Sequence, residues 1–315
     1  MPLGLRKQQS HPALRGRALW SVFLFVSLAS SLGVGCGVKR SVKVPVSQKV
    51  LEAKSATLDE LLALIDSYDA KLVTLSSSSL KISFTSGKVD SGKLQEYRSA
   101  PGYVLLKQPD ALRLNIQNPL TKTTIAELAS QGDDFFLWYP RENKFFVGRN
   151  SVREFDLEGS QNSPAFSARP IHIFEAILPY RLPPEPGLRI AMEEDRDPGA
   201  KYYVVSFFDA VGQDRLRPLR RLWFERSVLA VAKQVTFAKD GSITSSIRYG
   251  DLASVDGLLL PHSIHIERPA DGYFLDLQVK SWRVNPELPE AAFMLSPPAA
   301  AQRITLKEKT KTESP

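Results

Sequence analysis

Residues 102–119 read GYVLLKQPDALRLNIQNP, and residues 135–148 read FFLWYPRENKFFVG. In the first stretch Leu112, Leu114 and Ile116 fall on one side of an extended chain, with Arg113, Asn115 and Gln117 on the other. A period of two of this kind marks a strand. Pro109 and Asp110 separate two such runs, and Pro140 to Asn143 separate two more. Short turns like these join neighbouring strands of one antiparallel sheet. Strands paired consecutively need no crossover helices, which argues against a parallel α/β sheet.

Outward from this core the alternation continues. SSSLKISFTSG (77–87), KLQEYRSA (93–100) and TKTTIAELAS (121–130) read as strands, followed from residue 188 by LRIAMEE, KYYVVSFFDA, LRRLWFER, VLAVAKQVTF, ITSSIRYGDL, HSIHIERP and FLDLQVKSWRV. About ten or eleven strands in one meander exceed what a flat open sheet carries, so the sheet must curl. Two segments break the pattern. Thr57 and Glu60 match a capping box, and Leu58, Leu61, Leu62, Ile65 and Tyr68 follow at helical spacing. A second helix is expected within 164–180, where Ile171, Phe174, Ile177 and Leu178 make an apolar face. The expected class is therefore mainly β with α: a half-open, strongly curved antiparallel β-barrel covered by a helical lid. Leu58, Leu61, Leu62, Ile65, Ile171, Phe174 and Ile177 are the lid candidates.

The chain has 315 residues, 43% hydrophobic and 24% charged, an ordinary globular composition. Its 22 prolines against 18 glycines suit turns and edge strands. Of the net charge of +7, four charges come from Arg6, Lys7, Arg15 and Arg17; without them 37 basic residues face 34 acidic ones. The body is mildly basic with interspersed charges, which argues against nucleic-acid binding.

Residues 18–35, ALWSVFLFVSLASSLGVG, carry no charge, follow that basic stretch and end in small residues before Cys36, the single cysteine. Basic, apolar and small-residue regions in that order are the layout of an export signal. The box Val34, Gly35, Cys36 resembles the bacterial lipoprotein cleavage site, with Gly33 departing from the usual Leu, Val or Ile. Three readings stand: a lipidated Cys36, which is favoured, an uncleaved membrane anchor, and an ordinary cleaved signal. The expected organisation is a lipoprotein signal peptide (1–35), a lipid-anchored tether (36–56) with a short structured stretch near its end, the barrel domain (57–298) and a disordered tail (299–315). Gly37 after the cysteine lacks the aspartate of the inner-membrane retention rule, which favours the outer membrane.

The two stretches quoted first carry a family resemblance. Lys107, Gln108 and Pro109, the following strand, and the hairpin Leu137, Trp138, Tyr139, Pro140 resemble the LolA/LolB-like superfamily of periplasmic lipoprotein carriers and outer-membrane lipoprotein receptors. LRRLWFER onward to 252, GLLLPHSIHIERP (257–269) and NPELPEAAFMLSPP (285–298) look like the second half of such carriers, so the resemblance spans about 57–298. It implies a curved half-barrel whose apolar interior holds acyl chains, helices plugging the opening, and an inward arginine that holds the lid; no residue here is matched to that arginine. Candidates to line such an interior are Phe84, Tyr103, Leu105, Leu114, Phe135, Leu137, Trp138, Phe145, Tyr203, Val205, Phe207, Trp223 and Phe274. Each is equally a residue for ordinary core packing.

Other chemistry has little support. His262 and His265 are three apart in a strand and face opposite sides, so they do not share a metal. EEDRDPG (193–199) lacks calcium-loop spacing and reads as a solvated turn. Arg215, Arg217, Arg220, Arg221 and Arg226 read by default as a charged outer face, with anionic headgroups or a partner as the alternative. No phosphate-cradling loop, nucleophile elbow or metal-spaced set is present, so neither an enzyme, a metal nor a cofactor is expected. The leading expectation is a monomeric envelope lipoprotein that binds acyl chains of lipoproteins or lipid, hands them on and meets a partner carrier. A lipid sensor or scaffold with no transport role is the alternative, and an exported hydrolase a third reading.

Overall fold

The computed structural model describes residues 46–86, 95–152, 155–156, 169–180 and 187–308. Cys36 and the export segment lie outside the described residues. Three helices are described: α1 (Gln48–Leu51), α2 (Leu58–Lys71) and α3 (Pro170–Ile177). The first block of strands is β1 (Thr74–Ser86), β2 (Gln95–Lys107), β3 (Ala111–Gln117), β4 (Thr124–Gln131), β5 (Asp134–Tyr139), β6 (Lys144–Arg149) and β7 (Phe155–Asp156). The second is β8 (Arg189–Asp197), β9 (Ala200–Val211), β10 (Arg215–Glu225), β11 (Ala230–Phe237), β12 (Ile243–Val255), β13 (Leu258–Arg268), β14 (Tyr273–Val279) and β15 (Arg283–Val284). The chain ends with β16 (Gln302–Thr305) and β17 (Lys307–Glu308).

Among the described residues fifteen strands form one sheet in the order β16-β6-β5-β4-β3-β2-β1-β14-β13-β12-β11-β10-β9-β8, with β15 on β1. Two antiparallel meanders thus meet where β1 pairs with β14, the two ends of the chain's main body. Among the described residues β16 and β8 do not pair with each other, so the sheet is not closed.

The sheet curls around α3. That helix packs against β3, β4 and β13, and the segment it ends is hydrogen-bonded to Arg220 of β10. β4 and β10 are eight ladder steps apart. In a flat sheet that is about 38 Å, whereas an eight-residue helix is about 12 Å long and about 10 Å wide. One short helix touches both only if the strands wrap it. Register shifts in β1, between Pro218 and Arg220, and between Trp223 and Phe224 supply extra residues that bend strands. They also give Pro218, which has no N–H for the ladder, a tolerable place inside a central strand.

Two boundaries differ from the sequence expectation. The end of the tether is docked: Lys49 pairs with Glu225 at 3.0 Å, and Lys54 and Arg226 exchange backbone and side-chain hydrogen bonds of 2.9 Å. At the other end, β16 runs parallel to β6 as the last strand of the sheet, so 302–308 is ordered structure and the sheet is not wholly antiparallel. Ile304 and Leu306, two residues apart in a polar stretch, turn inward onto the core and explain the pairing.

Candidate functional site

Strand register decides which side chains share a face. Val104, Leu114, Leu128, Leu137 and Phe146 form one cross-strand row over β2 to β6. With Ile82, Leu275, Leu277, Ile264, Ile266 and the inward residues of α2 and α3 they build the main core on the concave face. Of the cavity candidates, Phe84, Leu114, Phe135, Leu137, Tyr203, Val205 and Phe207 lie on that face. Phe135 closes over Gly148, where an added Cβ would sit 2.5 Å from the ring.

Tyr103, Leu105, Trp138, Phe145, Trp223 and Phe274 lie on the convex face instead, which corrects their assignment to an interior. Tyr103 donates to Glu127, itself paired with Arg113 at 2.8 Å. Trp223 donates to Asp195 and lies under the Lys233 ammonium, 4.6 Å from its ring centroid, while Phe274 stacks on His265. Phe145 is fully buried without reaching the concave face. The 3-10 turn Glu290–Phe293 packs on β3 and β4, and its Ala292 carbonyl accepts from Arg113, which register places on the convex side. Large apolar residues stand side by side at Leu137–Trp138 and Phe145–Phe146, so alternation alone does not tell which parity points in.

The two helices fill the concave face differently. Thr57 and Glu60 form the expected capping box, and Leu61, Ile65 and Tyr68 of α2 are buried. Leu58 and Leu62 are partly buried against the same core. A two-residue link carries the chain from α2 into β1, and the Tyr68 hydroxyl accepts from the Leu259 amide at 2.9 Å. On α3, Phe174 and Ile177 are buried and Ile171 is half-buried. Its N-cap, Arg169, makes no side-chain cap, and Pro170 occupies the first turn.

Polar side chains from the sheet hold α3 at both ends. At its first turn His172 meets the Tyr273 hydroxyl at 3.3 Å through Nδ1, and Arg268 at 3.0 Å through Nε2. Arg268 also pairs with Asp271 at 2.7 Å. Burial, then the Arg268 and Arg169 guanidinium groups, hold the His172 pKa well below the ordinary histidine value. A neutral ring accepts from Arg268 through Nε2. At the other end the Tyr249 hydroxyl donates to the Ala176 carbonyl at 2.8 Å, and Arg220 donates to the Pro179 carbonyl at 2.6 Å and to Gln234. Arg220 is buried, and burial lowers its pKa from the usual arginine value.

Arg220 corrects the reading of the arginine cluster as an outer face: it pairs across β9 and β10 with Phe207 and shares its side with Leu222 and Phe224. The signal was present, since Arg220, Leu222 and Phe224 have one parity in LRRLWFER. EEDRDPG is likewise mostly strand, its turn confined to Pro198 and Gly199, and Glu194 pairs with Arg226 at 3.0 Å. His262 bonds the Val279 carbonyl and His265 pairs with Asp276 at 2.6 Å, two separate sites.

Comparison of the sequence with protein-family models gives no match. Comparison with curated proteins gives none either. Among solved structures the chain is similar to a DUF1329 family protein from Desulfovibrio piger, with 16% identity and a TM-score of 0.47 over 74% of this chain and 94% of that one. It is similar to a LolA superfamily protein from Nitrosomonas europaea, with 15% identity and a TM-score of 0.45 over 76% and 99%. A domain from Vibrio parahaemolyticus assigned to outer membrane lipoprotein sorting has 13% identity and a TM-score of 0.44 over 74% and 95%.

Proposed function

We propose that this protein is a cell-envelope lipoprotein that takes up acyl chains of lipoproteins or lipid on the concave face of its sheet, with α3 as a removable plug. The observation that carries the reading is the way α3 is held. Its middle is apolar, its two ends are fastened by Arg268 of β13 and Arg220 of β10, both in the second meander, and the face beneath it on the first meander is a row of Leu and Phe side chains. Lifting α3 exposes that row, and each acyl CH₂ that replaces it gains about 0.8 kcal/mol. Arg220 then has the part that the family resemblance assigns to an inward, lid-holding arginine. No cofactor is needed, because chains pass between apolar sites of similar affinity and opening of the plug gates the exchange.

Lipidation at Cys36 fits this role. Two or more acyl chains make a durable anchor. The ten residues from there to Val46 reach at most about 35 Å, which keeps the protein close to one membrane as a receptor for a partner carrier. The outer membrane is the favoured side. A second reading, a scaffold or sensor that carries nothing, is favoured by the tight filling of the concave face: Leu114, Val205 and Phe207 are fully buried with α3 in place. Mass spectrometry of the chain purified without residues 1–36 separates the two. Co-purifying lipid and uptake of a fluorescent fatty acid are expected; lipid-free protein that takes up none fits the scaffold.

A further inference from the structure

The concave face is not uniform. Over β2 to β6 its rows are almost wholly apolar, whereas over β10 to β12 the cross-strand row is Arg220, Thr236 and Ser245, with Gln234 in the next row. Arg220, Gln234 and Ser245 are buried there. The α3 segment matches both halves. It packs apolar side chains against β3 and β4, and it turns its C-terminal carbonyls, the negative end of a helix, to Arg220 and Tyr249. Glu175 on the same helix adds a negative field at Arg220. An apolar body with a negative end is also the description of an anionic amphiphile.

Resting on the acyl-chain reading above, we infer that the ligand is an amphiphile with an anionic head, and that this head takes the place of the Pro179 carbonyl on Arg220 and of the Ala176 carbonyl on Tyr249 when α3 lifts. Removing α3 takes the Pro179 carbonyl and the Glu175 field away from Arg220 while Gln234 stays on the sheet, and an ionised acceptor restores both the hydrogen bond and the negative charge. A neutral lipid with the same chains brings no negative charge to replace that of Glu175. The head is a carboxylate or a phosphate, since both accept from a guanidinium fork.

Native mass spectrometry of the full-length chain in a non-ionic detergent tests this with palmitic acid against methyl palmitate, and dipalmitoyl phosphatidic acid against dipalmitoylglycerol. At least one anionic member is expected to bind about tenfold or more tighter than its neutral twin; which pair shows the gap tells carboxylate from phosphate. Arg220→Gln brings that ratio to about one, and Arg220→Lys keeps part of it. Equal binding of acid and neutral twin by the unaltered protein overturns the inference and leaves the acyl-chain reading standing. No binding of any of the four removes that reading and the inference with it. A palmitate bearing a diazirine beside its carboxyl needs no variant: cross-links to β10–β12 peptides are expected, and cross-links confined to β2–β6 contradict the inference.

Discussion

α2 and α3 lie on the same face of the same sheet, yet they are attached by opposite means. α2 carries its own cap, buries Leu61, Ile65 and Tyr68, and runs straight into β1. α3 has eight residues and no side-chain cap, and its fastening comes from Arg220, Tyr249, Arg268 and Tyr273 on distant strands. An isolated helix so short has little stability of its own. Both helices contribute to the core, but only α2 carries its own means of staying there, and the proposed function makes α3 the part that lifts.

Truncations in the two helices should break the symmetry most. Ile65→Ala is expected to cost about 2–4 kcal/mol of global stability in denaturant unfolding. Ile177→Ala should cost clearly less globally, because part of its loss is spent in local release of α3. Equal global losses would join both helices into one cooperative core.

A smaller effect is expected from pH. His172 is held neutral in the folded chain, so as pH falls below about 6.5 the released state takes up a proton that the docked state refuses. Attachment of α3 should weaken by up to about 1.4 kcal/mol per pH unit in that range, and be fully present above it. The groups that face the ring are Arg268, Tyr273 and Asp271, with Arg169 adding its field, and His172→Gln should flatten the dependence. Stability profiles of the two proteins between pH 7.5 and 5.5 that run parallel would remove this role.

The smallest change concerns the cap. Thr57→Ala should cost about 1 kcal/mol, seen as a lower unfolding midpoint, and leave lipid uptake unchanged because α2 stays in place. Altered uptake would mean that α2 takes part in opening.

The meander and the first helix were legible because alternation and capping act over a few residues, as in Leu112–Gln117 and Thr57–Glu60. The meeting of the two meanders at β1 and β14, more than 190 residues apart in register at Leu80 and Val279, leaves no local mark. The sense of each face was half legible. Leu114 and Leu137 fell inward, while Trp138 and Phe145 went to the convex side, where the 290–293 turn also packs. Arg220 was passed over because a charge in a strand is usually solvated; its parity with Leu222 was the overlooked sign. β16 hid in a polar stretch because only Ile304 and Leu306 carry its inward period.

Hydrogen exchange of the full-length protein, followed by mass spectrometry with and without a bound fatty acid, tests the removable plug most directly. The account predicts that the α3 amides, from Ile171 onward, exchange through local opening well before those of Leu58–Lys71, and that ligand speeds the former and leaves the latter unchanged. Equal protection of the two helices, unmoved by ligand, would contradict it.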